Sequence, residues 1–399
     1  MDYWFHILAQ NLFVVIDIVW WVVAMRLAKR TVWRVLISIF MAAQLCAAIS
    51  AVANMDLSVY LPTAVLVAAA VWQLFGSAAL VGVGILYFSL RFIRRRRERA
   101  TIERAPVAAP AVQSPGQYSL SRRNFIGACA AVVPPLCTFG ITGIAMAQLG
   151  EFRLRRFTLS LPSLPKALDG LTIAHVSDIH VGEWTHGPIL KKIVNSTNAL
   201  RPDLVLVTGD LINYELSDLS GTIDILKQMH GRYGLHMVEG NHDLIQNGLE
   251  FERRVKSSGL SLLADESTVA NVRGFPVQFF GLRWTDGVGA SHDQIMSWEL
   301  REMVKQRRPD AFPIFLAHHP HAFDAAIANG LPLTLTGHTH GGQFMLNGDI
   351  GVGPALFRYW SGFYKRGDSQ LIVSNGVGNM FPVRINAPAE LVHITLRCA

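Results

Sequence analysis

The chain has 399 residues, of which 51% are hydrophobic and only 16% charged, with a mean hydropathy of +0.30 and a formal net charge of +7. An average soluble domain is about 25% charged, so part of this chain is expected to live in lipid. The positive charge is confined: residues 1–150 hold 13 Lys and Arg against 5 Asp and Glu, and the remainder hold 23 against 24, which argues against a broad basic face for gripping nucleic acid.

In chain order, residues 1–99 read as three transmembrane helices, at Ile7–Leu27, Val32–Ala53 and Thr63–Phe92. Each reaches the ~20 apolar residues needed to cross a bilayer core. Arg26, Lys29, Arg30 and Arg34 join the first two, and Arg94 to Arg97 with Arg99 follow the third, whereas Asn54-Met55-Asp56 between the second and third has no positive charge. The positive-inside rule then makes the basic links cytoplasmic. Asp17 in the first span reads as a polar group packed inside the helix bundle. Residues 100–120 are an Ala/Pro-rich linker. Residues 121–150 are either a fourth span, Phe125–Ala147, or a twin-arginine export signal, since Ser121-Arg122-Arg123-Asn124-Phe125-Ile126 has that pattern. Either way the residues that follow are expected outside the cytoplasm. Ala145-Met146-Ala147 has the small residues of a cleavage site, and an uncleaved anchor is an equal alternative.

From residue 151 to 399 the pattern changes to short apolar runs alternating with helical stretches. Strands are expected at Leu171–Val176, Leu204–Thr208, Leu235–Glu239, Leu260–Leu263, Val277–Leu282, Ile314–Ala317, Leu333–Thr336, Leu371–Ser374 and Leu391–Leu396. Helices are expected at Pro188–Ala199, Thr222–His230, Leu249–Ser257, Gln294–Gln306 and Phe323–Ala328. Such alternation implies a layered α/β domain. Of the four cysteines, Cys46, Cys129, Cys137 and Cys398, no two fall in this half, so it has no disulfide framework.

The polar clusters of this half follow its strands, where open α/β folds place ligands. They are Asp178-Ile179-His180, Gly209-Asp210, Gly240-Asn241-His242-Asp243, His318 and Gly337-His338-Thr339-His340. Carboxylates and imidazoles in this number suit a pair of divalent cations. Two cations ~3.5–4 Å apart can neutralise phosphoryl oxygens and lower a bound water's pKa from ~15.7 towards ~7.

In order and type, these five motifs resemble the calcineurin-like metallophosphoesterase family. Gly341-Gly342-Gln343, Asn375-Gly376-Val377-Gly378 and Pro382-Val383-Arg384 resemble its membrane-associated bacterial branch, labelled YkuE- or YaeI-like. The resemblance implies a four-layer α/β/β/α domain behind the transmembrane helices. It implies one metal on Asp178, His180, Asp210 and His340, and a second on Asp210, Asn241, His318 and His338. His242 would stabilise or protonate the leaving oxygen, and Asp243 would orient that imidazole. His319 would be left to contact substrate. Arg384 would either meet a phosphate or stabilise its loop. The cofactors would be two divalent ions drawn from Mn, Zn, Fe or Co. The expected activity is hydrolysis of a phosphodiester or pyrophosphate bond in a lipid-linked or cell-envelope compound. Soluble nucleotides are the alternative substrate, and a non-catalytic metal-binding scaffold the alternative from another class. Expected partners are the bilayer, the phosphoester substrate and the twin-arginine machinery, with no nucleic acid. The expected location is a bacterial cytoplasmic membrane, with the catalytic domain on its extracytoplasmic side.

Overall fold

A computed structural model of the chain describes residues 2–28, 30–52, 61–77, scattered positions between 80 and 96, 122–285 and 290–399. Contacts divide it into two units, Met1–Met146 and Ala147–Ala399. In the first unit, helices occupy Asp2–Leu27, Thr31–Val52 and Thr63–Val71, the last running into a π-helical turn at Trp72–Ser77. A helix at Arg122–Leu149 leads into the second unit. Among the described residues, Thr63–Gly82 and Val132–Leu149 are long and apolar enough to cross a membrane by length and composition, and Thr31–Cys46 is apolar but shorter. The linker at 100–120 and Ser121 lie outside the described residues. Asp17 is fully buried. Its carboxylate accepts hydrogen bonds from Trp72 Nε1 at 2.7 Å, Gln73 Nε2 at 2.8 Å and Ser77 Oγ at 3.1 Å, which offset the cost of burying it.

In the second unit the chain forms β1 (Phe152–Leu161), β2 (Thr172–Val176), β3 (Leu204–Thr208), β4 (Leu235–Val238), β5 (Ser261–Leu262) and β6 (Glu266–Val272). Next come β7 (Phe275–Gly281), β8 (Phe312–Leu316), β9 (Leu333–Thr336), β10 (Gly362–Arg366), β11 (Ser369–Val373) and β12 (Ala389–Cys398). One sheet has the order β1-β12-β2-β3-β4-β5 and the other β10-β11-β9-β8-β7-β6. The central strands β2, β3 and β4 are parallel, as are β7, β8, β9 and β11.

The period-2 alternation of each central strand serves two cores at once. In β3, Leu204 and Leu206 join Ile314, Leu316 and Leu335 of the other sheet in the inter-sheet core. Val205 and Val207 point the opposite way, onto Leu190, Ile193, Leu219, Ile223 and Phe251. Those residues belong to helices Pro188–Ala199, Leu219–Lys227 and Gly248–Ser257. On the second sheet, Phe280, Phe315, Leu371 and Val373 pack on Met296, Leu300, Phe323 and Ala326 of helices Ala290–Val304 and Ala322–Ala328. The order helix, sheet, sheet, helix follows from these contacts. Strands covered on both faces read as continuous apolar runs.

Three strands have no counterpart in the sequence reading: β1, β6 and β10. Each lies at a sheet edge.

Candidate metal centre

Every polar cluster of interest leaves the carboxyl end of a parallel strand. Asp178 and His180 follow β2, Asp210 follows β3, Asn241 to Asp243 follow β4, His318 and His319 follow β8, and His338 and His340 follow β9. Backbone hydrogen bonds stitch these exits together: Asp178 N donates to Gly209 O at 3.0 Å, His180 N to Asp210 O at 2.9 Å and Gly337 N to His318 O at 3.1 Å. Gly240 and Gly337 permit the approach. A Cβ on Gly240 would lie 2.5 Å from Asp210 N, and one on Gly337 would strike the carboxylate of Asp178.

The result is a buried group of side chains facing one another. Asp210 Oδ2 lies 3.4 Å from His180 Nε2 and 3.1 Å from His318 Nε2, so one carboxylate oxygen stands between two imidazoles. His340 Nε2 is 3.4 Å from Asp178 Oδ1 and 3.0 Å from His180 Nε2. His338 Nδ1 lies 3.0 Å from Asn241 Oδ1. Asp178, His180 and His340 can each turn one ligand atom to a common point, and so can Asp210, His318 and His338. His318 Nδ1 is fixed by Thr208 O at 2.7 Å, which leaves Nε2 inside the group; although close to Asp210, it is not aligned for a hydrogen bond. Buried ring nitrogens and carboxylate oxygens with so few donors among them are costly unless cations hold them. The donor set of carboxylates, imidazoles and one amide oxygen fits divalent first-row metals.

The electrostatics point the same way. Burial disfavours charge on His318, yet Asp210 and Asp178 outweigh it and hold the imidazole at about 9. Burial also opposes ionisation of Asp210, but the surrounding imidazoles keep it well below the ordinary carboxylate range. Burial alone dominates at His180 and His338, pushing each down to about 3.

The remaining expected residues are placed as follows. His242 is partly buried at the mouth; its backbone N donates to Asp210 Oδ1 at 2.8 Å, and its ring stands 4.6 Å edge-on from His180. Its Nδ1 contacts the carbonyl of Asn213 at 2.6 Å. That carbonyl therefore orients the imidazole, in place of Asp243. The carboxylate of Asp243 instead accepts from the backbone N–H groups of Gly240, Leu211 and Ile212, bracing the loop that carries Asp210. His319 lies beside the group, its ring 5.0 Å from that of His338, and burial keeps it far below the ordinary histidine range. Arg384 is fully buried, and its donors go to loop acceptors and to His340 Nδ1, so it is closed to a phosphate.

Two neighbours were not singled out in the sequence. Trp284 packs its ring 5.0 Å from His338, 5.6 Å from His318 and 5.7 Å from His319. It stands three residues beyond the end of β7, so the strand-end rule would have found it. Tyr214 sets its ring at a tilt 5.1 Å from that of His242, too far past the end of β3 for the strand-end rule to find it.

Residues 171–342 match the model of the family described as calcineurin-like phosphoesterase. The uncharacterized metallophosphoesterase YkuE of Bacillus subtilis (strain 168) is 28% identical over 295 residues, 70% of this chain and 98% of that one. Phosphodiesterase YaeI of Escherichia coli (strain K12) is 26% identical, over 69% of this chain and 99% of that one. A transmembrane protein with metallophosphoesterase domain from Danio rerio is 28% identical over 60% of this chain, and the match spans only 56% of that relative's length.

Proposed function

We propose, from the premise that residues 171–342 belong to the calcineurin-like phosphoesterase family of metal-dependent phosphoester hydrolases, that this chain cleaves a phosphodiester or pyrophosphate bond at a membrane surface. The observation that carries the reading is Asp210 Oδ2 between His180 Nε2 and His318 Nε2, one oxygen shared by two groups of potential ligands. Members of the family use a dimetal centre. One cation would rest on Asp178, His180, Asp210 and His340, the other on Asp210, Asn241, His318 and His338. When bound, the pair supplies an activated water and neutralises charge on the phosphoryl oxygens.

The chain's own groups do the rest. The Asn213 carbonyl takes the Nδ1–H of His242, which presents Nε2 at the mouth to hold a proton for the leaving oxygen. Trp284 covers one side of the His318 and His338 rings and limits water there. Asp243 holds the Asp210 loop in place from below.

A membrane setting is supported by the apolar stretches Thr63–Gly82 and Val132–Leu149 and by the transmembrane name of the Danio rerio relative. It makes a lipid-linked or cell-envelope phosphate compound the favoured substrate. The arginine clusters favour a multi-pass arrangement with the catalytic unit outside the cytoplasm, reached by the twin-arginine route or by the last helix itself. The name of the Escherichia coli relative supports diester cleavage, and a soluble nucleotide is the second reading.

The test is hydrolysis of bis(p-nitrophenyl) phosphate and p-nitrophenyl phosphate by the full chain in detergent, with and without Mn. Asp210→Asn and His242→Ala variants are run beside it. Asp210 sits at φ 54°, which Asn also tolerates, so the first variant removes charge without forcing the backbone. Turnover should require Mn and vanish in Asp210→Asn together with metal binding. His242→Ala should keep its metal and lose roughly 10²–10⁴ in kcat. A folded, metal-loaded chain inert on both compounds would favour the scaffold.

A further inference from the structure

We propose that Arg384 is a positioning residue for one half of the dimetal site, acting through the loop behind Asp178. The proposal rests on the ligand assignment made above and adds a group outside it.

A guanidinium has five N–H donors and no acceptor. Here all five are spoken for. Nε donates to Asn379 Oδ1 at 2.6 Å. Nη1 donates to Asn375 O at 2.9 Å and Ala387 O at 3.0 Å. Nη2 donates to Gly378 O at 2.6 Å and meets His340 Nδ1 at 2.9 Å. The side chain is fully buried, and no carboxylate among the described residues forms an ion pair with it. Burying a cation without a paired carboxylate is costly. Burial pulls its pKa down to about 10, and the charges of Asp178 and Glu390 oppose that pull.

The contacts identify what that cation organises. While Nη2 donates to Nδ1 of His340, the ring proton sits on Nε2, so a cation on Nε2 would require that proton to leave or the Arg384 contact to open. Gly378, whose carbonyl Arg384 grips, donates its own N–H to Asp178 O at 2.9 Å. Neighbouring Val377 N donates to Ser177 O at 2.8 Å, and a Cβ on Gly376 would come within 2.6 Å of Asp178 Cβ. Arg384 thus braces a ligand of one metal ion, Asp178, through the 376–378 backbone. It touches none of Asn241, His318 or His338. Groups behind a metal's ligands commonly change metal affinity by about 10–100-fold. The effect here should fall on one cation of the two.

The test loads the full chain in detergent with Mn and reads stoichiometry by calorimetry and the electronic coupling of the pair by electron paramagnetic resonance. Wild type should bind two Mn with a coupled signal. Arg384→Met should keep one Mn, show an isolated-ion spectrum, and bind the other about 10–100-fold more weakly. Arg384→Lys keeps the charge but has three donors in place of five, and should recover part of that affinity. If Arg384→Met does not fold, Arg384→Lys decides, because it cannot span Asn379 Oδ1 and three carbonyls at once and should still weaken one site. Two Mn at wild-type affinity with intact coupling, in Arg384→Met or in a folded Arg384→Lys, would overturn the proposal. Failure of wild type to bind two Mn would instead sink the ligand assignment beneath it.

Discussion

Asp178, His180, Asp210, His338 and His340 all sit at positive φ, between 49° and 72°. For a residue with a Cβ, that backbone region costs of order 1–3 kcal/mol and persists only where the surroundings impose it. Five such residues at one site mean that the metal-free domain holds strain together with facing, under-donated side chains. Cations that bind only the folded state would repay that cost through mass action. At a free concentration about 100-fold above Kd, each site should add about 2.7 kcal/mol. For a domain of this size that is roughly 5–10 °C of melting temperature per site. Chelation should lower the melting temperature by that amount, and Asp210→Asn should show no response to Mn; a chelator-insensitive wild type would count against the ligand set. The motifs made these residues legible in the sequence, because a strand end followed by Asp, His or Asn is a local pattern. The role of Asp243 was not, and for Arg384 the sequence left loop stabilisation as one of two readings. Asp243 accepts from Leu211 and Ile212, far away in the chain, which no spacing encodes, whereas Arg384 turns on how its own loop folds back on it.

Elements show the same division. Central strands covered on both faces, such as β3 and β9, were readable to the residue, since every position is apolar or small. The unread strands β1, β6 and β10 are edges, half exposed and carrying Arg153, Arg155, Glu266, Lys365 and Arg366. Charged residues on an edge discourage pairing with another chain, and they also erase the apolar signal. Between the sheets, β4 contributes His236, whose ring stacks on Phe279 of β7 at 4.2 Å while Nδ1 meets Ser261 Oγ at 2.9 Å. Burial pushes this imidazole down to about 4. Its folded pKa lies below the unfolded value of 6.5, so the unfolded chain takes up the proton first as pH falls. Stability contributed by neutral His236 is therefore complete above pH 6.5 and is lost as pH drops towards 4. The loss amounts to about 3 kcal/mol. Denaturant titrations at pH 7 and 4.5 should show His236→Phe losing less stability than wild type over that interval; equal losses would place the acid sensitivity elsewhere.

At the scale of the molecule, the second unit is closed by its own two ends. Strand β1 pairs along its whole length, Phe152 with Ala389 through Leu161 with Cys398, in parallel with β12. β12 also pairs with β2 and buries Leu391, Val392, Ile394 and Leu396. Its Glu390, wholly buried, pairs with Arg153 at 2.6 Å and accepts the backbone N–H of Asn375 at 3.2 Å. A chain stopped at Pro388 should therefore lose cooperative unfolding and two-metal binding together, measured by thermal melting with and without Mn. A truncated form that melts sharply would show that the remaining strands suffice. The pairing also sets a timetable. More than two hundred residues separate β1 from its partner, which at about 5–20 residues per second is roughly 10–50 s of synthesis. His340 is made before the strand that closes the sheet. Each new copy thus passes through a period in which its metal-binding side chains exist on an open sheet, and cation capture becomes durable only once Ala389–Cys398 has left the ribosome.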